Sequence, residues 1–192
     1  MTRPARTAWL LAAVLSLATP AWTQVDTALP GDPTTTLTHV GQAVPQFEIP
    51  GLDGLPIRDT SLRGRVAVIV FWATWCPSCR VELPRLEKEI WVPYRSAGLA
   101  LLAIAREEPV AAVKSFRSMY GYTMPMAVDP SRSVFGKFAS EGIPRTYVLS
   151  PEGKILFQTV GYDEADFAAM KQVIARALQR LKPPSSAGAP GR

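Results

Sequence analysis

Cysteine and histidine are scarce in this chain, with two Cys and one His in 192 residues. A structural zinc site wants four ligands, and the single histidine, His39, lies far from Cys76 and Cys79 in a polar stretch. Two thiolates can still hold Cu(I) transiently, so that soft-ligand chemistry stays open here. A strong charge of one sign is also missing: 21 Lys and Arg stand against 16 Asp and Glu, a formal net charge of +5, with no basic run longer than a pair. Nucleic-acid binding needs basic side chains clustered on one face, and that class is excluded. Long apolar runs are absent too. The N-terminal one, Ala8 to Ala18, falls short of the ~20 residues that cross a bilayer comfortably. What is present is core-forming material, 47% hydrophobic and 9% aromatic, enough for a packed domain and not the composition of a disordered chain.

The first residues differ in character from the rest. Arg3 and Arg6, the apolar run, and the small residues around Thr19, Pro20 and Ala21 follow the basic, apolar and cleavage-site order of a secretory signal. Residues 1–23 are read as a signal peptide or retained N-terminal anchor and 24–39 as a flexible linker. A folded domain at 40–181 and a disordered tail at 182–192 complete the chain. The expected location is the periplasm or another exported site, with membrane tethering through the first segment as the alternative. No Cys follows the apolar run, which excludes lipid attachment there.

Within the domain, Val44 to Pro50 and Leu55 to Arg58 flank Asp53-Gly54 as a short hairpin. Val66 to Trp72 and Leu99 to Ala105 are continuous apolar runs of the kind buried on both faces of a sheet. Leu83, Leu86, Ile90 and Tyr94 recur at helical spacing before Gly98, and Val113, Phe116 and Tyr120 mark a helix begun near Pro109. Thr146 to Leu149 and Ile155 to Val160 share the tight Pro151-Glu152-Gly153-Lys154 turn and must pair antiparallel. Asp163 caps a last helix with Phe167, Met170, Ile174, Leu178 and Leu181 on one face. The expected class is α/β: a central mixed β-sheet flanked by helices, with an N-terminal β-hairpin extension.

The two cysteines form Cys76-Pro77-Ser78-Cys79, set between a buried strand and an amphipathic helix. A disulfide across two residues closes a loop too small to remove much unfolded-chain entropy, so the pair reads as chemistry and not as a staple. Cys76 falls just before the first helical turn, where unpaired N–H groups and the helix dipole favour a thiolate. Pro77 occupies the first turn, where its missing N–H costs nothing. Such settings lower a thiol from about 8.5 to roughly 3.5–7.5. Cys76 is therefore the candidate nucleophile, and Cys79, one turn deeper, the candidate resolving thiol.

These residues, together with Gly142-Ile143-Pro144-Arg145-Thr146, resemble the thioredoxin superfamily. Pro45-x-Phe47-x-Ile49, Ser61-Leu62-Arg63-Gly64, Val70 to Cys79, Arg80-x-Glu82-x-Pro84 and Val128-Asp129-Pro130 are similar to its TlpA/ResA/CcmG branch, from about Val44 to Leu178. The resemblance implies a thioredoxin fold and a cis peptide bond at Pro144, beside the reactive disulfide. It also implies that the Ile143 backbone pairs with an extended substrate segment, with Trp75 and Pro77 bordering the same substrate. Glu82 is carried over as a catalytic candidate for accepting or relaying a proton, against the alternative of a solvated helix carboxylate. Members of the branch are exported or membrane-tethered reductases that keep apocytochrome c thiols, or the cysteines of copper-site proteins, reduced.

Departures from the pattern are informative. Val70 stands where thioredoxin proper carries a buried acid, and Ala73 replaces the Thr of the peroxidatic Thr-x-x-Cys pattern. Pro84 should kink its helix, the later Val92-Pro93 has no evident reason, and Arg106-Glu107-Glu108, where the resemblance implies polar residues near the site, is expected as a solvated loop. The expected activity is that of a protein-disulfide oxidoreductase working as a reductase without a cofactor beyond its cysteine pair and without a resident metal. Its expected partners are protein thiol or disulfide substrates and a membrane electron donor, with the chain itself monomeric. A disulfide oxidant or isomerase and a Cu(I)-binding thiol protein are the alternatives.

Overall fold

The computed structural model describes residues 33–181; the expected export segment, the first part of the linker and the C-terminal tail lie outside the described residues. A hairpin of β1 (Glu48–Pro50) and β2 (Pro56–Arg58) precedes a five-stranded sheet. That sheet comprises β3 (Ala67–Trp72), β4 (Ala100–Arg106), β5 (Met126–Asp129), β6 (Arg145–Leu149) and β7 (Ile155–Val160), in the order β5-β4-β3-β6-β7. β3–β4 and β4–β5 are parallel, whereas β3–β6 and β6–β7 are antiparallel. Every residue of β3 and β4 is buried, as their unbroken apolar runs require.

Among the described residues four α-helices alternate with or follow these strands: α1 (Pro77–Arg85), α2 (Val92–Tyr94), α3 (Val110–Tyr120) and α4 (Glu164–Leu181). The parallel steps β3 to β4 to β5 advance in one direction, so right-handed crossovers put α1 and α3 on one face. There Phe116 of α3 packs on Trp72, and Glu82 of α1 meets Thr146 of β6. The opposite face carries Phe71 and Tyr147 against Phe135 and Phe138 of a short 3-10 turn, ring centroids 5.0–6.1 Å apart. In α4, Phe167, Met170, Ile174 and Leu178 are buried as their spacing predicts, but Leu181, expected on the same face, is its terminal residue and stays exposed.

Pro93 now has an account. The stretch Leu86–Trp91 between α1 and α2 is π-helical, and the Val92 N–H reaches back five residues to the Glu87 carbonyl. A proline ring clashes with the carbonyl four residues earlier in a regular helix, and a wider turn ahead of it relieves that clash.

Two segments differ from expectation. β5 was not anticipated, because four residues between Pro125 and Pro130 are too few to show a period. It ends on Asp129, which is buried and accepts N–H bonds from Val134 at 3.0 Å and Phe135 at 2.7 Å. Asp129→Ala leaves those buried donors without acceptors and is expected to cost about 3 kcal/mol, read as a lower urea midpoint. Residues 33–39, expected in the flexible linker, are docked on the domain. Leu37 N–H donates to the Phe138 carbonyl at 2.9 Å, and Thr36 bridges Ala139. The reason is Arg145, fully buried, whose guanidinium donates to the hydroxyls of Thr35 and Thr36 and to the carbonyls of Glu141 and Gly142. A buried guanidinium with five donors needs such acceptors, and a Thr-rich segment supplies them.

Candidate active site

β3 ends in the apolar core, and the chain turns through Ala73 to Cys76, with the Cys76 N–H donating to the Ala73 carbonyl at 3.2 Å. Cys76 is the N-cap of α1, in extended conformation, and its sulfur accepts the Cys79 N–H at 3.2 Å. Pro77 follows as the first helical residue, exposed and without a donor to leave unpaired. Cys76 and Cys79 are disulfide-bonded, their Cα atoms 5.3 Å apart. Cys79 is wholly buried and Cys76 is 3% exposed, so of the two cysteines only Cys76 keeps any surface in solvent.

The loop before β6 comes to the same place. Ile143–Pro144 is a cis peptide, and the Ile143 carbonyl lies 3.7 Å from the Cys76 sulfur. Ser78 Oγ lies 3.5 Å from that sulfur. Trp75, beside Cys76, is 58% exposed, a large apolar ring left facing solvent. The Arg106 guanidinium lies 5.8 Å from its ring centroid. Cys76, Cys79, Ile143 and Pro144 thus form one cluster, with Trp75 and Pro77 on its exposed rim.

Glu82 sits one turn beyond Cys79, 2% exposed, and is not a solvated carboxylate. Its Oε1 accepts the Thr146 hydroxyl at 2.7 Å, while Oε2 is buried with no hydrogen-bond partner. Burial raises its pKa to about 7, and the Thr146 bond offsets part of that rise. At neutral pH the group is poised between holding and releasing a proton, the property a proton relay needs. A small cavity lined by Glu82, Thr159, Asp166 and Met170 lies beside it.

The segment after β4 departs from the solvated loop expected of it. Arg106 and Glu108 are buried, and only Glu107 faces water. Arg106 pairs with Glu107 at 3.5 Å and Glu141 at 3.8 Å, and burial pulls its guanidinium below the ordinary range. Glu108 reaches across to Thr74 in the turn that presents Cys76. Thr74, Glu108 and Thr146 are the site residues that the sequence reading did not single out. A polar residue directly following a fully buried parallel strand was the available signal for Glu108, because such strands end on the side where sites are built. Among the described residues no group of three or more His, Cys, Asp or Glu side chains is arranged to hold a metal ion, and no helix is long and apolar enough to cross a membrane.

Comparison with known proteins matches residues 40–158 to the AhpC/TSA family model. The thiol-disulfide oxidoreductase ResA of Bacillus thuringiensis (strain Al Hakam) is 30% identical over 123 residues, 64% of this chain and 70% of the relative. A Bacteroides thetaiotaomicron structure described as a candidate protein disulfide isomerase superposes with a TM-score of 0.72 at 37% identity, covering 76% of this chain and 93% of that one. A Chlorobium tepidum structure described as a candidate thiol:disulfide interchange protein DsbE gives 0.64 at 27% identity, covering 73% and 98%.

Proposed function

The chain belongs to the AhpC/TSA family and is a thiol–disulfide oxidoreductase with a thioredoxin fold, and from that premise we propose that it is an exported reductase of protein disulfides. The reading is carried by one observation: a disulfide whose less buried cysteine caps a helix and faces the Ile143 carbonyl. In the reduced chain the Cys76 thiolate attacks one sulfur of a substrate disulfide, and the other substrate sulfur leaves as a thiolate that takes up a proton. Cys79 then gives up its proton and attacks Cys76. That step releases the second substrate thiol and leaves the Cys76–Cys79 disulfide. Two electrons have passed from the enzyme to the substrate, and a membrane electron donor returns the enzyme to its dithiol form. The cysteine pair itself carries the electrons, so no further cofactor takes part, and a single chain holds the whole site.

Glu82 accepts or returns the Cys79 proton across one helical turn. An extended substrate segment pairs with the Ile143 backbone beside Pro144, with Trp75 and Pro77 against its side chains. The substrates are protein cysteines awaiting haem or copper, in apocytochrome c or in copper-site proteins. Ala73 in place of the peroxidatic threonine argues against peroxide as the substrate.

Trp75→Ala is expected to raise KM for a protein disulfide about tenfold with little change in kcat, the scale of losing one aromatic anchor. Steady-state kinetics with a protein substrate and with a small disulfide separate the two parameters, the small disulfide being indifferent to the change. The reading as a whole is tested by expressing Cys79→Ser with its natural N-terminus. Secreted proteins with paired cysteines should be captured on Cys76 in the exported fraction. Retention of the chain in the cytoplasm, or a trapping variant that captures nothing, contradicts it.

A further inference from the structure

Glu108 is held at the active site by an arrangement that the exchange chemistry described above leaves unexplained. β4 runs parallel to β3 with Ala105 opposite Trp72, so the residues just beyond β4 come to the end of β3, where the chain leaves the sheet for α1. There the Thr74 N–H donates to Glu108 Oε1 at 3.0 Å, and the Thr74 hydroxyl donates to the same oxygen. Thr74 is the second residue of the Ala73–Cys76 turn, so this carboxylate fixes the turn that carries both Trp75 and Cys76.

The other oxygen, Oε2, is buried with no hydrogen-bond partner, and the residue is only 5% exposed. Arg106, two residues earlier in the chain, forms its ion pairs with Glu107 at 3.5 Å and Glu141 at 3.8 Å, and its Nε and Nη1 make no hydrogen bond. None of the ion pairs among the described residues includes Glu108. A buried carboxyl that takes two donors from Thr74 on one oxygen, and belongs to no ion pair among the described residues, therefore anchors the turn two residues before the nucleophile.

We propose that Glu108 is a positioning residue that fixes the Thr74–Cys76 turn and biases the cysteine pair towards its disulfide, and so towards giving electrons away. A like charge nearby disfavours a thiolate. A disulfide couple becomes a strong oxidant when its reduced form is stabilised, so the reverse makes it a better reductant. The helix N-terminus pulls the Cys76 sulfur towards thiolate, and Glu108 opposes that pull. The inference deepens the reductase reading and rests on it. The wild-type potential tests that reading, whereas the difference between variant and wild type tests Glu108.

The couple is followed as protein disulfide plus two glutathione giving protein dithiol plus glutathione disulfide, two electrons and two protons passing to the protein. Glu108→Gln keeps an acceptor for Thr74 and removes the charge, and Glu108→Met replaces the buried carboxylate with an apolar side chain of similar length. Both are expected to move this equilibrium about tenfold towards the dithiol, roughly 30 mV less negative. Both should also speed alkylation of reduced Cys76 by iodoacetamide severalfold at pH 6.5. Wild-type potential and wild-type alkylation rate in the folded variants, whatever their melting temperatures, overturn the proposal and leave Glu108 a purely structural anchor.

Discussion

Cys76→Ser is expected to bring disulfide reduction down to the uncatalysed rate, while Cys79→Ser completes the first attack and then stalls as a mixed disulfide. The asymmetry follows from position. Cys76 caps α1 and keeps a little surface in solvent, whereas Cys79 is wholly buried one turn deeper. A serine hydroxyl at the cap cannot replace the thiolate, because the attacking species in exchange is a sulfur anion. The bond from the Cys79 N–H to the Cys76 sulfur stabilises that anion in the reduced chain if the cap geometry is retained. Assays of insulin reduction with dithiothreitol regeneration give the rates, and non-reducing gels give the trapped species. Substrate trapped through Cys79 in Cys76→Ser, with none trapped in Cys79→Ser, would reverse the assigned order of attack.

Glu82→Gln is expected to remove the pH dependence of stability that this buried carboxyl contributes between pH 4.5 and about 7. The carboxyl rises from its ordinary 4.5 to about 7 because it is buried, so between those values the folded chain holds a proton that the unfolded chain has lost. Its contribution is favourable below pH 4.5 and disappears as pH rises to about 7. At about 1.4 kcal/mol per pKa unit the wild type gives up about 3 kcal/mol across that interval. Glutamine keeps the acceptor for the Thr146 hydroxyl and does not titrate. Relative to wild type, the variant should gain about 3 kcal/mol between pH 5 and pH 8 in urea unfolding. Parallel stability profiles would mean that the carboxyl titrates like a solvated one. The same substitution should also flatten the rise in exchange rate near neutral pH if Glu82 handles the Cys79 proton.

The parts of this molecule legible from sequence are those governed by local pattern. The apolar runs at Val66 to Trp72 and Leu99 to Ala105 appear as β3 and β4, buried throughout. The helical spacing of Phe167, Met170, Ile174 and Leu178 reappears as the buried side of α4. Cys-X-X-Cys before an amphipathic helix marked the N-cap site because capping depends on neighbours in the chain. The cis peptide at Pro144 was anticipated by resemblance, since no local rule demands it. Contacts between distant segments were not readable. Glu108 is 34 residues from Thr74, and Arg145 lies more than a hundred residues from Thr35 and Thr36. A polar residue in a loop and a polar residue buried by such a partner look alike until the fold brings the partner near. Glu82 shows the same limit, its hydrogen-bond partner Thr146 lying 64 positions away.

The central claim, that this cysteine pair gives electrons to protein disulfides, is tested most directly by the reduction potential of the Cys76–Cys79 couple in glutathione buffers at pH 7. The account predicts a value near that of thioredoxin, about −270 mV, with Glu108 opposing the pull of the helix terminus on the thiolate. A value near the −120 mV of a strong disulfide oxidant would contradict it.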